Sequence, residues 1–225
     1  MAEHDDARRR AADVEALDAL LEAGAESMGI ALDALARDRL VAYVRLLERW
    51  NAAYNLTAVR DPVEMVSRHL LDSLTVLDQV RGPRVLDVGS GAGLPGIVLA
   101  VARPALAVTL LDSVGKKVRF LEQARLELRL DNVTPVQARV EAYRPPAPFQ
   151  TVVSRAALAL GPLWRAARGL LVPGGRLVAM KARLDAAETA ELDDVAWTSI
   201  EVVVPGLEER RLVVVERHDD ARGPT

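Results

Sequence analysis

No cysteine occurs among the 225 residues. That absence excludes disulfides, zinc-thiolate centres and a cysteine nucleophile, and nothing in the chain points to an oxidising compartment. Long apolar runs are lacking as well. No stretch approaches the roughly 20 apolar residues of a membrane span, and the opening MAEHDDARRRAADVEALDAL interleaves acids with arginines where a secretory leader would be apolar. The chain therefore reads as soluble and cytoplasmic, with no membrane partner. Lysine is scarce: Lys116, Lys117 and Lys181 are the only lysines in a total of 29 basic residues. A net charge of -3 also lacks the basic balance that most nucleic-acid-binding domains carry, so a polyanion would have to be met by a local patch. No P-loop of the form G-x-x-x-x-G-K-[ST] occurs, and no metal site is read from the sequence.

What is present is half hydrophobic, enough for one substantial core with a modest extension. Four segments follow from the pattern: a polar tail over 1–12, a helical extension over 13–82, a main domain over 83–217 and a second tail over 218–225. In the extension, Leu32, Leu35, Leu40, Val44, Leu47, Trp50 and Tyr54 recur mostly at three- and four-residue spacing, the stripe of an amphipathic helix. A second helix is predicted in RDPVEMVSRHLLDSL. There Asp61 stands as N-cap, Pro62 at the first helical position and Glu64 where a capping box places its acid, with Val63, Val66, Leu70, Leu74 and Leu77 on one side.

After Gly82-Pro83 the rhythm becomes strand, loop, helix. RVLDVG, LAVTLLD, VTPVQ, FQTVVS, GRLVAMK, WTSIEVVV and RRLVVVER read as strands. Helices are expected between several of them, including spans near 157–170 and 185–193. Such alternation implies an α/β fold with a mainly parallel, doubly wound sheet, whose ligands bind at the carboxyl ends of the strands beside the switch point in strand order. The loop GSGAGLPG, following the first strand, lies at that mouth.

Two cofactor classes compete for the loop. Gly91, Gly93 and Gly96 satisfy G-x-G-x-x-G, and Asp112 follows Gly91 by 21 residues at the end of the next strand, which meets the dinucleotide fingerprint. Asp87, Gly89, Gly91 and Gly93 equally satisfy the D-x-G-x-G-x-G of S-adenosylmethionine (SAM) sites. Asp87 would repel a pyrophosphate but suit an ammonium, and Pro95 removes an amide where a phosphate would want one. Both favour a cationic ligand free of phosphate. Asp112 suits either class, since a carboxylate there can accept from both ribose hydroxyls. Val140 and Glu141, after the third strand, offer an apolar and a polar contact for an adenine, although a glutamate there is also an ordinary helix cap. Arg155 closes the fourth strand at the same edge.

Seven segments, RWNAAYNLTAVRDPVEM, SRHLLDSL, VLDVGSGAGLPGIVLA, LLDSVGKKVRFLEQ, VQARVEAY, VVSRA and GGRLVAMK, occur in an order and spacing that resemble the bacterial 16S ribosomal RNA guanine-N7 methyltransferase family RsmG, or GidB. The likeness runs over roughly residues 30–216. It implies a class I SAM-dependent methyltransferase fold, Rossmann-like with a seven-stranded sheet and helices on both faces, preceded by a helical extension. It also implies methylation of guanine N7 in the 530 loop of 16S rRNA, with SAM as donor and the 30S subunit or its precursor as partner. Carried over by position, Gly89, Leu94, Val140, Glu141 and Arg155 would contact SAM, joined by Asp87, Gly91 and Asp112 from the general pattern. Guanine N7 has a free lone pair and no proton, so no catalytic base is expected and none is identified; Arg155 is placed to position substrate or SAM. RNA contacts are expected from Lys116, Lys117, Arg119 and Lys181, and His69 is expected as a structural hydrogen bonder at the domain junction. The protein is expected to be a monomer. An NAD(P)-dependent oxidoreductase and a SAM-binding, ribosome-associated protein without turnover are the alternatives.

Overall fold

The computed structural model describes residues 2–155, 158–192 and 195–218. Two helices, α1 (Ala2–Ser27) and α2 (Ala34–Tyr54), open the chain. Residues 2–12, expected from composition to form a polar tail, are part of α1. Alanines at 2, 7, 11 and 12, and the lack of glycine or proline before Gly24, give that stretch high helix propensity despite its charge. Residues 219–225, most of the expected second tail, lie outside the described residues, as do 157 and 193 at the edges of two expected helices.

α2 starts on Asp33, whose side chain accepts from the Ala36 amide, and ends on Asn55 in the left-handed region at φ 49°. Of its apolar stripe, Leu40, Val44 and Leu47 are buried, whereas Leu35 in its first turn is exposed. The next helical segment begins on Asp61, which accepts from the Val63 amide. Glu64 does not complete a capping box and instead pairs with Arg68, and Val63, expected on the buried side, is exposed. That segment is not uniformly α-helical: α3 (Pro62–Met65) passes into a π-helical stretch, Val66–Leu71, and then into α4 (Asp72–Leu74). The apolar period carries no sign of this widened turn, which rotates His69 and Asp72 relative to a regular helix.

The sheet comprises β1 (Arg84–Val88), β2 (Ala107–Asp112), β3 (Val133–Gln137), β4 (Phe149–Arg155), β5 (Leu171–Lys181), β6 (Trp197–Val202) and β7 (Arg210–Glu216). Its order is β3-β2-β1-β4-β5-β7-β6, with β7 antiparallel to both neighbours and the other pairings parallel. α5 (Gly96–Ala102), α6 (Gly115–Glu127), α7 (Leu160–Ala167) and the short α8 (Ala186–Ala190) connect the strands. The central strands are buried on both faces, which is why they read as near-continuous apolar runs. Two cores result. One joins α1, α2 and the π stretch to α5, α6 and one face of the sheet, so the extension is welded onto the main domain; the other packs α7 on the opposite face. No helix among the described residues is long and apolar enough to cross a membrane.

Candidate cofactor and substrate site

The chain leaves β1 for β2 on one side and β4 lies on the other, so the switch in strand direction falls between β1 and β4. A cavity of about 460 Å³ opens there, at the carboxyl ends of β1, β2 and β4. Of the residues expected at a cofactor, Gly89, Gly91, Leu94, Asp112, Val140, Glu141 and Arg155 all line it. Asp87, expected there too, is fully buried beneath the loop and does not line the cavity.

Asp87 shapes the loop from below. Its Oδ2 accepts from the Gly96 amide at 2.9 Å, while Oδ1 has no partner among the described residues. Burial is the main reason its carboxyl is pushed up from 3.8 to about 7; the Gly96 amide, Arg155 and Ser90 oppose the shift. The glycines divide by what a side chain would meet. A Cβ on Gly93 would fall 2.4 Å from Ile97, and one on Gly96 would fall 2.2 Å from Leu110 and 2.7 Å from the Asp87 carboxylate, so these two serve packing. Gly91, at φ 59°, would point a Cβ into open space with only the Gly89 carbonyl within 4 Å. It is the glycine that leaves the main chain bare to a ligand.

Asp112 accepts from the Gly91 amide through Oδ2 and from the Val114 amide through Oδ1, each at 2.9 Å, and the Lys117 ammonium lies 3.5 Å away. Each oxygen keeps a second lone pair for a hydroxyl from the cavity side. Val140 supplies a largely buried apolar wall and Glu141 an exposed polar one, at the start of a 3-10 turn.

The helical extension builds the remaining wall, which sequence reasoning missed. Leu56 and Thr57 line the cavity, and buried Asn51 holds them in place: its Oδ1 accepts from the Thr57 amide at 2.9 Å and its Nδ2 donates to the Val59 carbonyl at 3.0 Å. Tyr43, fully buried in α2, donates its hydroxyl to the Ala92 carbonyl at 2.6 Å, clamping the glycine loop from above. The signal was present in RWNAAYNLT, but periodicity registers only its apolar members.

Next to Arg155 lies a second cavity of about 290 Å³, lined by the cations Arg68, Arg155, Lys181, Arg210 and Arg211 together with His69 and Asp72. His69 Nε2 is 2.9 Å from the Thr57 hydroxyl, and its Nδ1 is 3.4 Å from an Arg155 nitrogen. An arginine nitrogen can only donate, so Nδ1 is the ring nitrogen placed to accept from it, with Nε2 turned to the Thr57 hydroxyl. Burial, then the Arg155 charge, lowers His69 from 6.5 to about 4, so it is neutral at pH 7. Lys181 is paired with Glu188 at 2.9 Å, Lys116 donates to the Tyr54 carbonyl at 2.9 Å, and Arg119 is exposed on α6.

The sheet order, the glycine loop after β1 and the acid closing β2 define a class I methyltransferase fold. Solved structures agree: a methyltransferase from Pyrococcus furiosus superposes with a TM-score of 0.58 at 14% identity, over 80% of this chain and 96% of that one. The N-methyltransferase NodS from Bradyrhizobium japonicum, in complex with S-adenosyl-L-homocysteine, gives 0.53 at 20% identity over 78% and 98%. The profile of the GidB family, rRNA small subunit methyltransferase G, matches residues 36–214, and the chain belongs to that family. Among curated relatives, ribosomal RNA small subunit methyltransferase G of Chromohalobacter salexigens is 58% identical over 79% of this chain and 85% of its own length. The protein of the same name from Escherichia fergusonii is 48% identical over 84% and 92%.

Proposed function

We propose that the chain transfers the methyl group of SAM to N7 of a guanine in the 530 loop of 16S rRNA, with the 30S subunit or its precursor as substrate. The observation that carries the cofactor assignment is the closure of the α5 terminus to phosphate. Pro95 brings no amide N–H there, the Gly96 amide is taken by the Asp87 carboxylate, and the Ile97 amide is bonded to the Gly93 carbonyl at 2.7 Å. A dinucleotide pyrophosphate would find no free amide donor at that terminus, which counts against an NAD(P)-dependent oxidoreductase. The fit to SAM rests on the bare backbone at Gly91, the free lone pairs of Asp112 for a ribose and the Val140 wall for an adenine.

When bound, SAM supplies an electrophilic methyl group on a sulfonium. Gly89 and Gly91 would hold it against the main chain, Asp112 would hold its sugar, and Leu94 and Val140 would exclude water around it. Arg155, shared by both cavities, holds the acceptor base against the donor. N7 would attack with its own lone pair as the sulfur–methyl bond breaks, the thioether leaving and the positive charge passing to the base; no proton need move, so orientation supplies the rate, an effect worth roughly 7 to 11 kcal/mol when the reacting atoms are well aligned. The cations of the second cavity, with Lys116, Lys117 and Arg119 at the rim, face the RNA, and the protein acts as a monomer.

Incubating the protein with labelled SAM and 30S subunits from cells lacking the modification, then mapping the labelled nucleotide, tests the reading. Label at N7 of a 530-loop guanine is expected. Calorimetric binding of SAM with no transfer to any 30S or precursor substrate would leave a non-catalytic SAM-binding protein instead.

A further inference from the structure

Asp72 is an odd residue to find where it is. It opens α4, directly after the widened helical turn, buried, and yet it lines the second cavity. Two arginines face it, but loosely: Arg155 Nη1 is 3.9 Å from Oδ2 and Arg210 Nε is 3.6 Å from Oδ1. Both distances exceed a hydrogen bond, and among the described residues no donor is bonded to either carboxylate oxygen. A buried carboxylate costs several kcal/mol to desolvate unless donors satisfy it. Asp72 thus stands beside two charges with its accepting capacity open to the cavity, and burial pushes its pKa up against the pull of Arg155 and Arg210.

The order of groups along this wall matches the perimeter of one base. Going round guanine from the imidazole side come N7, then O6, then N1–H and the N2 amino group: an acceptor for the methyl, an acceptor, and two adjacent donors. Going round the site come the cofactor cavity, then Arg155, then Asp72. We propose that Asp72 reads the Watson–Crick edge of the target guanine, its two carboxylate oxygens accepting from N1–H and N2–H₂ while Arg155 donates to O6 and N7 faces the first cavity. The inference rests on the guanine-N7 reading and adds the residue that selects the base. Adenine is rejected twice: it offers an N1 lone pair to the buried carboxylate and an amino group to the half-buried guanidinium, leaving both groups unpaired. A flipped base read on this edge is the usual solution for enzymes that act on a nucleobase.

The test uses 30S subunits reconstituted with 16S rRNA carrying either guanine or inosine at the target position. Inosine keeps N7, O6 and N1–H and lacks only the amino group. The wild-type protein is expected to prefer guanine about tenfold in kcat/KM, the ordinary cost of removing one hydrogen bond to a charged acceptor. In Asp72→Asn the guanine substrate slows and the ratio falls toward one, with SAM binding by calorimetry unchanged. The same ratio is read from 30S binding, so a variant too slow to turn over still reports. A purely structural role, in which Asp72 only anchors Arg155 and Arg210, lowers both substrates equally and leaves the ratio intact; that result, or a wild type that uses inosine as well as guanine, overturns the proposal. Failure of the wild type to methylate the guanine substrate overturns instead the function on which it rests, and this inference with it.

Discussion

At the scale of single residues, two buried titratable groups pull the pH dependence of stability in opposite directions. Asp87 has a folded-state pKa of about 7 against 3.8 for the free group, so between those values the folded protein binds the extra proton and stability falls as pH rises. His69 is lowered from 6.5 to about 4, so over that window the unfolded chain binds the extra proton and stability rises with pH. Asp72, raised by burial, adds to the Asp87 side. Each of the two large shifts corresponds to roughly 3 to 4 kcal/mol, and their opposition keeps the wild type comparatively flat from about pH 4 to about pH 6.5. Asp87→Asn keeps a carbonyl oxygen for the Gly96 amide and removes the charge. Urea unfolding of that variant is expected to show stability rising with pH across the window by about 1 to 3 kcal/mol more than wild type. His69→Gln should steepen the fall instead. An unaltered pH profile in Asp87→Asn would mean that the carboxyl is already relaxed by water.

At the scale of elements, what the sequence conveyed and what it withheld differ by kind of interaction. Each predicted strand is present; the central ones, β1 and β4, are buried on both faces and leave apolar runs that no loop mimics. Asp61 and Pro62 mark a helix start that the structure contains. Invisible to pattern were the π stretch and the cross-chain polar contacts, since a widened turn leaves the apolar spacing nearly intact and a hydrogen bond has no period. Leu35 and Val63 were assigned to buried sides because periodicity cannot say where a helix outruns its neighbour. One of the unseen contacts is that of Asn51, whose amide ties the Thr57 and Val59 backbone of the loop between α2 and α3. Asn51→Ala strands a half-buried acceptor and a half-buried donor and is expected to cost about 1 to 3 kcal/mol in chemical unfolding. The loosened Leu56–Thr57 wall should weaken SAM binding in the same sample by calorimetry. Full affinity at reduced stability would show that other residues hold that wall.

At the scale of the whole molecule, the chain is slightly acidic yet is proposed to dock on a polyanion, and placement resolves the conflict. A parallel sheet sends the carboxyl ends of its strands, and the first turns of the helices that follow, to one edge. Arg155, Lys181 and the first turn of α6 collect there, joined by Arg210 and Arg211 because β7 runs antiparallel and starts where the others end. Several of these cations are already committed: Lys117 faces Asp112, Lys181 faces Glu188, and Arg211 faces Glu201 and Glu209. Lys116 and Arg119 stand outermost, exposed on the first turns of α6, while exposed Arg129 lies just past its far end, about 20 Å along the helix axis. Phosphate neutralisation by the near end predicts that Lys116→Glu with Arg119→Glu weakens 30S binding. The salt dependence of log K should fall in magnitude by about one for each phosphate left without its cation. SAM binding should be unchanged, because neither side chain lines the cofactor cavity. Arg129→Glu makes the same kind of charge change on the wrong side of the sheet and should leave both the affinity and the slope alone. Equal weakening by Arg129→Glu would mean that net charge, and not the carboxyl edge, governs the encounter with RNA.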